Sequence, residues 1–187
     1  SNTFRYFHRT GEGDDWAPIA VNDEQVNDGF RPAHVDVAGN RIIGFLKRDG
    51  FDTVATVPLD DSGVPTTLHQ RQGVEVDGIV TLGLARRFVG VSYVTERRHV
   101  EYFDSAVGAM ARSLSRALGG REVVFIDQTI DASAYLLWAG SGSDPGRYYL
   151  YRPAQRQLRP LLAANPRLEG LTLSQVTPVT YPAADGT

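Results

Sequence analysis

The apolar positions of this chain fall in short runs separated by turn residues, and three of those runs repeat. Arg41-Ile42-Ile43-Gly44-Phe45-Leu46-Lys47 is followed by the turn Arg48-Asp49-Gly50 and a second run over 51–57. Arg87-Phe88-Val89-Gly90-Val91-Ser92-Tyr93-Val94 is followed by 95–98 and a run over 99–103. Ala134-Tyr135-Leu136-Leu137-Trp138-Ala139 is followed by 141–146 and Arg147-Tyr148-Tyr149-Leu150-Tyr151. β-Branched and aromatic residues bounded by Gly, Asp and Ser read as hairpins. Their centres, Ile42, Val89 and Leu136, lie 47 residues apart. A hairpin recurring every 40–50 residues is the signature of β-propeller blades of four strands each.

Flanking strands complete the pattern. Residues 32–37, 76–82 and 122–130 supply an inner strand for each repeat, and 64–70 and 157–163 supply outer strands. Ala38-Gly39-Asn40 closes the first inner turn with two residues that tolerate positive φ. Residues 4–8 and 16–21 read as the last two strands of an earlier blade. One segment has a different period. In 104–120, Val107, Met110, Ala111, Leu114, Ala117 and Leu118 recur at i, i+3, i+4 and i+7, which predicts an amphipathic helix near 105–118. Asp104 or Ser105 can cap its start and Gly119 its end. It stands where the second repeat needs its outer strand, so it either replaces that strand or covers the blade edge. The fold class that follows is mainly β: a partial β-propeller of about three to four blades, each a four-stranded antiparallel sheet, with one inserted helix. Residues 3–164 form that unit, and 165–187 form a linker with an extended stretch at 175–182.

Composition adds limits. The 187 residues carry a net charge of −3, with 42% hydrophobic residues and no cysteine. Disulfides and thiol chemistry are therefore excluded, and neither nucleic acid nor an anionic membrane surface is favoured as a partner. No apolar run reaches the roughly 20 residues of a membrane span. A single lysine stands against 18 arginines, which suggests a coding bias more than a functional surface. Ser1-Asn2 resembles a tag-cleavage scar.

Candidate chemistry is sparse. There is no Gly-x-Ser-x-Gly elbow; Gly140-Ser141-Gly142-Ser143 has the wrong spacing and reads as a hairpin turn. Gly11-Glu12-Gly13 lacks the rest of a dinucleotide fingerprint. His8, His34, His69 and His99 form no metal-ligand spacing. Asp14-Asp15 and Asp60-Asp61 sit in turns without the alternation of a calcium loop. Arg86-Arg87 and Arg97-Arg98 read as turn or strand-start charges, though arginine pairs can hold a carboxylate. The Tyr148–Tyr151 stretch reads as core on one face. No catalytic, cofactor-binding or metal-ligating residue is assigned, and substrate contacts have no candidate.

From about residue 85 onward the chain resembles a family. Asp144-Pro145-Gly146-Arg147-Tyr148-Tyr149-Leu150-Tyr151 and the turn and strand through Leu162 resemble the last propeller blade of prolyl oligopeptidase-family serine peptidases. The branch is the bacterial dipeptidyl aminopeptidase/acylaminoacyl-peptidase type. Asn165-Pro166-Arg167-Leu168, Leu171 and 176–180 resemble its connector, and Ala184-Asp185-Gly186-Thr187 resembles the turn opening its catalytic domain, with Ala184 where Arg is common. The helix and 122–127 also look like this branch. The resemblance implies a propeller that gates peptide access to a C-terminal α/β-hydrolase domain. That domain holds the Ser, Asp and His of catalysis, none of whose motifs occur here. It implies a non-catalytic portion of a serine peptidase, in the periplasm or cytoplasm of a bacterium, needing no cofactor. Its partners would be the hydrolase domain and the parent enzyme's peptide substrates. Open blade faces lead us to expect self-association of the chain. Two rival readings are a propeller-like protein-binding scaffold of the periplasmic translocation type and a β-sandwich or jelly roll.

Overall fold

A computed structural model of the chain describes residues 6–9, 11–18, 29–59 and 64–171, and residues 173, 174, 176, 177 and 179. Among the described residues the molecule is mainly β, with four antiparallel sheets and one α-helix. It packs as two compact units: residues 1–81 with 85–103, and residues 82–84 with 104–187.

The first unit holds three sheets. β1 (Phe7–His8) and β2 (Ala17–Pro18) form a short hairpin. β3 (Arg31–Asp36), β4 (Arg41–Arg48), β5 (Phe51–Pro58) and β6 (Thr66–His69) form a four-stranded meander in chain order. β7 (Val76–Leu82), β8 (Arg87–Val94) and β9 (Arg98–Tyr102) form a three-stranded one. The second unit holds α1 (Ser105–Ala117) and a four-stranded sheet in chain order. Its strands are β10 (Glu122–Gln128), β11 (Tyr135–Ser141), β12 (Asp144–Arg152) and β13 (Gln157–Ala163). The three repeated hairpins and their inner strands thus form where the 47-residue spacing places them. Residues 4, 5 and 19–21 of the two earlier strands, the Asp60-Asp61 turn, and residues 184–187 lie outside the described residues.

The central strands explain the apolar runs. Ile42, Ile43, Gly44 and Leu46 of β4 are buried, and all of Phe88–Tyr93 in β8 is buried. A strand covered on both faces needs a continuous apolar run, not alternation. Two cores result in the first unit. Phe30, Ile42, Leu46, Ala55, Val57 and Leu59 pack on one side, with Tyr6 against them. Ile43 and Val54 of the four-stranded sheet pack with Val76, Phe88 and Val91 of the three-stranded sheet on the other. Close strand approach fixes two positions. A Cβ at Gly44 would run into the carbonyl of Arg31, and one at Gly90 into the carbonyl of Glu101, both backbone atoms of a paired strand.

Turn chemistry recurs with the strands. The four-residue turns before β4, β8 and β13 each end on a left-handed residue: Asn40, Arg86 and Arg156, with φ of 48°, 49° and 49°. Asn40 alone, not Gly39, takes positive φ in the first turn. The Asp36 carboxylate holds that turn by accepting the Gly39 N–H at 3.2 Å and the Arg41 guanidinium at 2.9 Å. The third hairpin differs from the sequence expectation. Its turn is only Gly142-Ser143, because β11 and β12 stay paired out to Ser141 and Asp144. A bulge between Ala139 and Ser141 absorbs the extra residue.

The helix starts where its cap predicts: Asp104 Oδ1 accepts the Val107 N–H at 2.9 Å. It ends in left-handed Gly119 and Gly120, with the Gly120 N–H donating to Ser115 O at 2.8 Å. Val107, Ala111 and Leu114 are its buried stripe. In chain order it stands where the second repeat's outer strand would be, and that sheet has three strands. The helix itself packs on β10 of the following sheet and belongs to the second unit. No helix is long and apolar enough to cross a membrane among the described residues.

Candidate functional site

Pairing across the last sheet puts Val123, Ala139, Arg147 and Ala163 in one row of one face, and Phe125, Leu137, Tyr149 and Pro160 in the next. The chain leaves β13 and returns over this face. The Ala164 N–H donates to Gly146 O at 2.9 Å, and Asn165 Oδ1 accepts the Arg167 N–H at 3.2 Å, starting a 3-10 turn over Pro166–Leu168. The returning strap and the sheet enclose a cleft of about 410 Å3. That is within the usual size of a small-ligand pocket.

Small residues form the floor of the cleft: Ala139, Gly146 and Ala163, beside Tyr149. Gly146, at φ 88°, lies against Trp138, whose indole N–H donates to Pro145 O at 3.1 Å. The rim carries two ion pairs. Arg121 meets Asp144 at 2.7 Å, and Arg147 meets Glu169, 22 positions along the chain. Asp144 is committed on both oxygens, because Oδ1 also accepts the Gly146 N–H at 2.9 Å. All four rim side chains are at least one-third exposed, so each pair adds little to stability by itself. Leu168 and Leu171 of the strap give the cleft an apolar side.

Two further polar clusters lie in the first unit. Arg98 grips Asp77 with both terminal nitrogens at 2.8 Å, and Ser92 Oγ donates to Asp77 Oδ1 at 2.9 Å. The Arg98 bonds outweigh the opposing effect of burial and, with a smaller contribution from the Ser92 bond, hold the Asp77 carboxyl below its usual range. The carboxylate-binding use of Arg97-Arg98 is therefore realised by Arg98, as a clasp tying β7, β8 and β9. In the second cluster, Arg71 lies over the Tyr93 ring at 4.3 Å and 3.8 Å from Glu101. His69 sits 3.7 Å from the same Glu101 oxygen, its ring 5.4 Å from that of Phe103.

The histidines are spread over separate places. His8 is on β1, His34 on β3, His69 on β6, and His99 on β9, stacked on Tyr93 at 5.3 Å. Burial, and then the nearby Arg86 charge, lower the pKa of His34. Among the described residues no three His, Asp or Glu side chains gather as a metal site would require. Asp14 lies in the 11–14 turn, its N–H on Gly11 O at 3.4 Å. Tyr149 is buried, and Tyr148, Leu150 and Tyr151 are half-buried. The cleft had no sequence signal. Its charged partners are distant in the chain, and its strap is a 3-10 turn with no periodicity to read. No family model matches the chain, and no curated protein matches it.

Proposed function

We propose that this chain is the non-catalytic β-propeller portion of a serine peptidase of the prolyl oligopeptidase family. Its role is to restrict which peptides reach a C-terminal α/β-hydrolase domain and to support that domain. The observation that carries the reading is the repeat: meanders in chain order whose first hairpin strands start at 41, 87 and 135. Burial of β4 and β8 on both faces supports it, because propeller blades stack face to face around an axis. The segment resembling the family's last blade supports it further, since it coincides with β12, its turn and β13. The sequence holds no Gly-x-Ser-x-Gly elbow, so hydrolysis belongs to another part of the parent. In this reading, open blade faces favour self-association of the isolated chain.

The test is a pair of activity measurements on the chain as it stands. Aminoacyl-p-nitroanilides and p-nitrophenyl esters are not turned over, and a fluorophosphonate probe leaves the protein unlabelled. Turnover abolished by the phosphonate, with label on a serine of this chain, contradicts the reading.

A further inference from the structure

We propose that the cleft under the 165–171 strap binds a short peptide with both ends free, through its carboxylate and ammonium groups. The argument starts from which rim groups retain bonding capacity. A guanidinium has five N–H donors. Arg121 and Arg147 each spend a terminal nitrogen on one carboxylate oxygen. Both therefore keep donors for a second carboxylate, which arginine binds with directional, charge-assisted bonds. Asp144 is the less open of the two carboxylates, because one oxygen takes the Gly146 N–H and the other takes Arg121. Glu169 is the reverse: Arg147 meets only its Oε1, and its side chain is 54% exposed. It is the more open acceptor for an ammonium group.

The open chemistry is therefore bipolar, with donors from two arginines and one acceptor from a glutamate. A plain anion would use only half of it and would face the Glu169 charge. A small zwitterion matches both poles. Ala139 and Ala163 leave room on the floor, and Tyr149, Leu168 and Leu171 offer an apolar flank. That flank suits an aliphatic side chain, and 410 Å3 suits two or three residues. The inference stands on the cleft alone and does not need the peptidase reading.

Binding of the dipeptide alanyl-leucine, its N-acetyl form and its C-terminal amide, followed by amide chemical shifts and calorimetry, tests this. The free dipeptide is expected to saturate, with shifts at Ala139, Gly146, Ala163 and Leu168. Each capped form is expected to bind about tenfold more weakly, the loss of one charged contact. Arg121→Gln is expected to weaken the free dipeptide about tenfold while leaving the already weak amide unchanged. Glu169→Gln, at an exposed position that does not endanger folding, is expected to weaken the amide and the free dipeptide but not the N-acetyl form. No saturation by about 10 mM dipeptide, or equal binding of capped and free forms, overturns the proposal. Either negative result leaves the activity test of the peptidase reading untouched.

Discussion

The sheet β3–β6 and the sheet β7–β9 begin alike and finish differently. Both open with an inner strand, a four-residue turn closing on a left-handed residue, and a strand starting Arg, apolar, apolar, Gly. Both then fold back in a hairpin whose first strand is buried on both faces. The first gains an outer strand, β6. The second gives way after Tyr102 to Asp104 and a helix that packs on the next sheet. The repeat therefore specifies an inner strand and a hairpin, while the fourth position is free to vary. The reason is burial. Ile43, Val54, Val89 and Val91 are fully enclosed, whereas β6 has two exposed residues out of four. Enclosed strands tolerate only one register, and an outer strand can be exchanged for another element that satisfies its own backbone.

Substitutions can break this comparison, the largest effect first. Leu137→Ala, at a fully buried side chain of β11, is expected to cost about 3 kcal/mol in denaturant unfolding. Gly90→Val forces a side chain into the Glu101 carbonyl and is expected to cost about 2–3 kcal/mol. Gly142→Ala, with open space around it, is the matched control and is expected to change stability by less than about 0.5 kcal/mol. If both glycine substitutions are equally mild, the hairpins are not the rigid part of the repeat. Asp104→Ala removes the helix cap and is expected to cost about 1 kcal/mol. Its loss should appear as faster amide exchange in 105–117, leaving β8 and β9 protected.

Acid gives the smallest and most selective probe. The Asp77 carboxyl is held below its unfolded pKa, so its contribution to stability is complete above that value. It disappears as the pH falls through the lower, folded value. Melting temperatures of the wild type and Asp77→Asn are expected to differ near neutral pH and to converge only once the pH has fallen below the ordinary aspartate value of about 3.9. His34 behaves oppositely in chemistry and alike in sign. Its folded pKa is lowered, so its neutral form is favoured and stability falls as the pH drops below about 6.5. A His34→Gln variant is expected to lose that neutral-to-acid step and keep the Asp77 step.

The hairpins are legible in the sequence because short apolar runs recur 47 residues apart with polar or small residues between them, as at Asp49-Gly50 and Gly142-Ser143. The helix was legible because its period changes to 3.6 and Asp104 marks its start. The third hairpin was read too loosely. The small residues of 140–146 look like a loop, whereas the bulge and the Asp144 bond to the Gly146 N–H let pairing continue to Ser141. The helix's packing partner was illegible, since periodicity gives a stripe but not what it meets. The cleft was illegible for a similar reason: Arg121, Asp144, Arg147 and Glu169 are unremarkable in sequence and meet only after the strap returns over the sheet.

The proposed peptidase reading places the catalytic machinery elsewhere in the same gene. Reading the coding sequence beyond Thr187 tests it most directly. The account predicts an uninterrupted frame carrying a Gly-x-Ser-x-Gly elbow followed by an Asp and then a His at α/β-hydrolase positions. A stop codon directly after Thr187, or a frame without that elbow, contradicts it and favours the scaffold reading.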